Sequence, residues 1–288
     1  MTFFGQLALP TWLIALLVGS AMLVVIILTI HLQFMATTPP NKIWSMILIS
    51  LYWIIFTTMT AGITQIAGSF ISVITLILSG VIVLFGLDKL QRLNNIIVLT
   101  IIIMLVVICL PHQTATPTTT FYTQIPAGLG WAFLYAGLNC LTFSELVKAA
   151  AQHCSRRTLY GAGVITASLI TALVFLILTA IRQTGTQNAA MPLLAIANHP
   201  LTMVLIILAI LTSQYAALFA MVQKTTNLTK RSIFNPQTWV ILYGATAFAG
   251  SFFGFSQILN IGYRIIGAVI CFSLLFSWLR SWRHHPQH

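Results

Sequence analysis

The stretch "LYAGLNCLTFSELVK", residues 134–148, places Tyr135, Gly137, Asn139, Cys140, Thr142, Ser144 and Glu145 inside an otherwise apolar segment. In this chain that is an exception. Of 288 residues, 59% are hydrophobic and 5% charged, and the only acidic ones are Asp88 and Glu145. Runs of about 18 or more apolar residues read as membrane-crossing helices, and such runs fill the chain from end to end. So few charges could not solvate the surface of a soluble domain of this length. The chain therefore reads as an all-α polytopic membrane protein. The short alternating segments of a β-barrel are missing.

Working outward from 134–148, the apolar runs predict nine spans: 8–34, 43–67, 70–87, 92–111, 127–149, 159–182, 201–222, 236–256 and 259–281. The first carries no basic lead and no small-residue cleavage site, so it is not a signal peptide. "HQTATPTTTFYTQIP" (112–126) is an uncharged loop, "GLDKLQRLNN" (86–95) a tight charged turn, and "CSRRT" (154–158) and "KTTNLTKRS" (224–232) basic loops. "MPLLAIANHP" (191–200) is too short to cross and reads either as a short outer helix or as a plain loop.

The net charge of +11 sits between spans rather than in a nucleic-acid-binding patch. With the C-terminus cytoplasmic, eleven of the thirteen basic residues fall inside: Lys42, Lys89, Arg92, Lys148, Arg156, Arg157, Lys224, Lys230, Arg231, Arg280 and Arg283. Only Arg182 and Arg264 fall outside. That asymmetry is the one cytoplasmic loops carry. It predicts an integral protein of the cell membrane, its N-terminus outside.

The polar positions suggest sites. Gly137 and Asn139 lie near the bilayer midpoint, where an amide without partners costs several kcal/mol. The segment either lines a water-filled cavity, as midplane-broken transporter helices do, or packs closely through Gly137 with Asn139 bonded to a neighbour. Both readings fit the composition. Glu145, with Lys148 three residues on, reads first as a local ion pair and second as a proton-linked carboxylate on a pathway. Thr212, Ser213 and Gln214 in "LTSQY" (211–215) offer oxygens suited to Na⁺, although Thr and Ser also bond back to their own helix. The small and hydroxyl residues of "TTMTAGITQIAG" (57–68) suit close helix packing. Cys109, Cys140, Cys154 and Cys271 are scattered, with no metal or disulfide spacing. No soluble-enzyme motif occurs, and two acidic residues do not assemble an intramembrane enzyme.

"WAFLYAGLN" followed by a basic loop and "GAGVITASL", the "GLDKLQRLNNIIV" turn, and "MPLLAIA" with "ILTSQYA" resemble YkvI-type membrane proteins. These belong to the amino acid–polyamine–organocation transporter superfamily, and the likeness runs over most of the chain. It implies a LeuT-type fold of two inverted repeats and one transmembrane domain over 1–288. Residues 8–111 would be four helices of the first repeat, and 127–281 five helices of the second. It also implies that 127–149 is a helix broken at the midplane, with Tyr135, Gly137 and Asn139 at the substrate, and Thr212 and Ser213 at a sodium site. Glu145 matches nothing in the pattern. The four-plus-five count leaves out the first core helix, so a chain started late and inactive for that reason is expected.

The function expected on this basis is secondary transport of an amino acid or similar small amine by alternating access. It would be coupled to Na⁺ or H⁺ and need no cofactor; its partners would be that substrate and the lipid bilayer. The alternative is a membrane scaffold or sensor that does not transport, with a packed, dry centre.

Overall fold

A computed structural model of the chain describes residues 7, 9–35, 42–113, 124–151, 154–186, 189, 192–196, 199–229 and 235–283. The helices among them are α1 (Thr11–Met35), α2 (Lys42–Leu84), α3 (Leu87–Cys109), α4 (Ile125–Ala151), α5 (Arg156–Gln183), α6 (Pro192–Ile196), α7 (Pro200–Leu228), α8 (Pro236–Ser251) and α9 (Phe255–Arg283), with one 3₁₀ turn at Leu110–His112. No strand occurs among the described residues.

Among the described residues six stretches are long and apolar enough to cross a membrane: Thr11–Leu32, Lys42–Leu84, Arg92–His112, Arg156–Gln183, Pro200–Leu228 and Gln257–Leu279. Large apolar side chains project outward along them, among them Phe70 at 77% exposure and Phe272 at 73%. Exposed apolar surface on this scale belongs against lipid, which fits an integral membrane protein.

Local chemistry explains the ends. Pro192, Pro200 and Pro236 open their helices, where a missing N–H costs nothing. Ser155 caps α5, its hydroxyl accepting the Thr158 N–H at 3.2 Å. The decisive feature is Gly68, at φ 84° and ψ 167° inside α2. Only glycine adopts that conformation readily. Twelve residues of straight helix would separate Thr60 from Ser72 by about 18 Å, yet the Ser72 hydroxyl donates to the Thr60 carbonyl at 3.4 Å. The 43-residue helix is thus a hairpin of two limbs. The expected spans 43–67 and 70–87 meet at this fold-back.

Two expected boundaries move. The charged turn placed at 86–95 is confined to Phe85 and Gly86, and Leu87 already begins α3. Gly86, at φ 90°, supplies the left-handed backbone of this turn. The span placed at 236–256 stops at Ser251, because Phe252–Gly254 turn the chain before α9 starts at Phe255. Of the expected short outer segment, Pro192–Ile196 is helical. Residues 114–123 of the Thr/Pro-rich loop and 230–234 of the second basic loop lie outside the described residues.

The chain forms two compact units that interleave in sequence. Unit 1 comprises 1–38, 105–199 and 264–288; unit 2 comprises 39–104 and 200–263. The division falls within α3 and within α9. It cuts across the sequential halves expected from a repeat.

In unit 1, α1 runs parallel to α4: Leu9 and Leu17 approach Gly128, and Thr29 bonds Cys140. It runs antiparallel to α5, where Gly19 faces Thr171 and Ile26 faces Gly163. The α9 helix runs parallel to α4, with Arg264 over Trp131, Gly267 against Leu134 and Cys271 at Gly137. In unit 2, the first limb of α2 runs antiparallel to α7, through Thr60–Gln214 and Gly62–Ile210. It runs parallel to α8, through Trp53–Thr246 and Thr57–Gly250. The second limb meets α8 at Gly80 and Val240.

Candidate functional site

Unit 1 contains the polar stretch 134–148. The α4 helix is continuous from Ile125 to Ala151, and no positive φ occurs at Gly137. The midplane break implied by the family resemblance is therefore corrected. Gly137 is a packing residue: a methyl there would lie 2.7 Å from the Gly267 carbonyl oxygen and 2.7 Å from the Cys271 sulfur. A methyl on Gly267 would collide with the Leu134 carbonyl. Two glycines facing each other let the α4 and α9 backbones approach closely, as small residues do between membrane helices.

The polar atoms here are satisfied nearby. Asn139 Nδ2 donates to the Tyr135 carbonyl at 2.7 Å, within its own helix. The Thr29 hydroxyl donates to Val25 O at 2.7 Å and lies 2.9 Å from Cys140 Sγ. The Cys271 thiol donates to Phe133 O at 3.1 Å. Tyr135 and Asn139 are half-buried, whereas Gly137 and Cys140 are buried. Glu145 is half-buried and Lys148 exposed.

Toward the two ends of unit 1 lie two guanidinium clusters. Arg156 Nη2 donates to His31 Nδ1 at 2.9 Å and to the Tyr160 hydroxyl at 3.2 Å. Arg182, half-buried at the end of α5, donates to Leu9 O at 2.5 Å, Leu7 O at 2.6 Å and the Thr11 hydroxyl at 3.2 Å.

Unit 2 has a polar interior. Thr57, Thr58, Thr60, Ser72, Thr75 and Gln214 are all buried. Gln214 Nε2 donates to Thr60 Oγ1 at 3.2 Å across the α2–α7 contact. The Tyr215 hydroxyl donates to Asn94 Oδ1 at 2.7 Å, and the hydroxyls of Thr225 and Tyr243 lie 2.6 Å apart. The candidate sodium pair behaves differently: Thr212 and Ser213 both donate to Ala209 O, at 2.7 and 3.3 Å. Both hydroxyls are satisfied by their own helix, so as they stand they offer lone pairs but no preassembled cage.

The structure therefore groups Tyr135, Gly137 and Asn139 on one helix of unit 1, and Thr212 and Ser213 on one helix of unit 2. Sequence reading missed the Thr60–Gln214 and Tyr215–Asn94 pairs, whose partners are 154 and 121 residues apart. It counted Arg182 only as a charge on the outer side. A guanidinium terminating an apolar run against the positive-inside bias was the available signal. Among the described residues no cluster of three His, Cys, Asp or Glu could hold a metal ion. The arrangement offers hydrogen-bond donors and acceptors, not an acid–base or nucleophilic constellation. No family model matches the chain, and no curated protein matches it.

Proposed function

We propose that the protein is a secondary transporter of an amino acid or similar small amine, working by alternating access. The observation that carries the reading is the division into two compact units that interleave in sequence, with α3 and α9 belonging to both. Transporters of inverted-repeat architecture move one bundle against another about a central site. They need units of this kind rather than one uniform core.

Helix directions support the nine-crossing topology behind the proposal. With nine alternating crossings, α1, α4 and α9 run one way, and α5, α8 and the first limb of α2 the other. The register contacts have α1 parallel to α4, α4 parallel to α9, and the first limb of α2 parallel to α8. They have α1 antiparallel to α5, and the first limb antiparallel to α7. A single crossing for α2 would reverse α4 relative to α1. The same contacts support the inverted repeat. Numbered from the resemblance, the second helix packs on the seventh, the third on the eighth and the fourth on the ninth. In the first two pairs the partners run antiparallel, as an axis in the membrane plane requires.

The scaffold or sensor reading is favoured by one observation, the continuous α4 sealed by Gly137 against Gly267. Uptake of radiolabelled amino acids into liposomes holding the full chain separates the two. Saturable uptake that depends on a Na⁺ or H⁺ gradient is expected, with alkylation of Cys140 by a hydrophilic thiol reagent slowed by substrate. No uptake across the amino acids and small amines, with Cys140 fully protected throughout, would leave the scaffold.

A further inference from the structure

We propose that Arg182 is the receptor for a small-molecule carboxylate, which competes with the backbone of the segment leading into α1 and releases it. Among the described residues Arg182 makes three contacts, all to neutral oxygens: Leu7 O, Leu9 O and Thr11 Oγ1. A guanidinium carries five N–H donors, and the Arg182 contacts occupy only part of them. Among the described residues no carboxylate pairs with it. The chain has two acidic residues. One of them, Glu145, lies about 25 Å along α4 from Gly128, the residue that Leu9 packs against.

Arg182 sits at the end of an apolar helix with its charge met only by neutral oxygens, the setting in which an ionisable group of a membrane helix is a candidate ligand contact. Its strongest partner is a carboxylate. That group takes a guanidinium in a bidentate pair, adding an opposite formal charge and matched fork geometry to bonds in which the carbonyls offer only a neutral acceptor. Here the neutral acceptors occupy the fork. Leu7 O sits on Nη2 and Leu9 O on Nη1, so one bidentate carboxylate replaces both carbonyls at once.

The displaced segment is well placed to report this. Leu9 is 0% exposed, its Cδ1 2.9 Å from where a methyl on Gly128 would stand. When the guanidinium turns to a ligand, Leu9 loses the bond that holds its carbonyl, and α1 loses an anchor at its first residue. Arg182 is thus both a carboxylate site and the catch on the lead into α1. The choice of carboxylate rests on the proposed amino acid transport; the catch itself does not.

The test uses the full chain in detergent with Leu9→Cys. Alkylation by N-ethylmaleimide, a neutral reagent, is followed on the peptide containing residue 9. Sodium acetate and glycine are expected to speed alkylation about ten-fold or more, the scale of losing one bond to a charged group. Sodium chloride and methylammonium chloride at equal ionic strength should not. In Arg182→Gln the residue should react fast from the start and ignore acetate. Thr11→Val, which removes one competing acceptor and keeps the guanidinium, should lower the acetate concentration for half-maximal alkylation. Three results each overturn the proposal: no response to acetate with Arg182 intact, an equal response to chloride, or a half-maximal concentration unmoved by Thr11→Val. Acetate-dependent release without uptake would leave the site and remove the transporter. Uptake without release would do the reverse.

Discussion

Unit 1 and unit 2 are built from equally apolar helices, yet they hold together differently. In unit 1 the helices meet through glycine: Gly19 on Thr171, Gly163 on Ile26, Gly137 on Gly267. Several of its mid-helix polar groups close onto backbone carbonyls, as Asn139 does on Tyr135 and Cys271 on Phe133, although Thr29 also meets Cys140 across helices. In unit 2 side chains bond one another across helices: Trp53 to Thr246, Gln214 to Thr60, Tyr215 to Asn94, Thr225 to Tyr243. Glycine contacts depend on shape, and their cost on failure is steric. Cross-helix hydrogen bonds each contribute little in a membrane, about 0.6 kcal/mol on average, but together they fix register. Unit 2 also meets through glycine, Gly80 on Val240 and Gly250 on Thr57, so what sets it apart is the cross-helix lacing, which should tolerate the loss of any one bond, whereas the unit 1 seam at Gly137 and Gly267 should not tolerate added volume.

The largest effect that would break this contrast is at the seam. Gly267→Val puts a side chain into the Leu134 carbonyl. Overpacking of a well-filled site costs about 1–3 kcal/mol or more, so folded protein should fall sharply by size-exclusion chromatography. Gly267→Val with an unchanged monodisperse yield would show that α4 and α9 do not meet there. Next comes Gly68→Ala in unit 2. It faces open space, so only its backbone conformation is strained, at a cost of about 1–3 kcal/mol. A lower thermal midpoint without aggregation is expected, and an unshifted midpoint would argue against the hairpin. The smallest effect is Thr225→Val. It deletes the bond to Tyr243 and should cost about 0.6 kcal/mol, matched by Tyr243→Phe and not increased in the double variant. A loss of several kcal/mol would mean that unit 2 depends on single bonds after all.

The contrast also explains what could be read in the sequence. The apolar runs located the long helices, and the boundary expected between 43–67 and 70–87 falls where Gly68 turns the chain. At Gly137 the residues left a cavity-lining segment and close packing both open, and the break implied by the resemblance is not what the structure shows. A glycine that breaks a helix and one that lets another helix approach look alike in sequence. What separates them is Gly267, 130 residues on, which no local window contains. Thr212 and Ser213 were legible as oxygens, but not the return of both hydroxyls to Ala209. Thr57–Thr60 read as packing, and they are buried, yet Thr60 also accepts from Gln214, a partner fixed only by tertiary contact.

The fold-back at Gly68 bears on how the chain enters a membrane. Between Lys42 and Asp88 the sequence carries no charged residue at all. The reversal itself therefore displays nothing that the insertion machinery could hold on either side. Its two limbs cannot be oriented one after the other by charge. Within this stretch Lys42 at one end and the charged start of α3 at the other are the charges that bracket the pair of limbs joined by the Ser72–Thr60 contact. For this stretch, placement in the bilayer is expected to depend on the hairpin as a unit, so a Lys introduced beside Gly68 should change it more than one introduced beside Lys42.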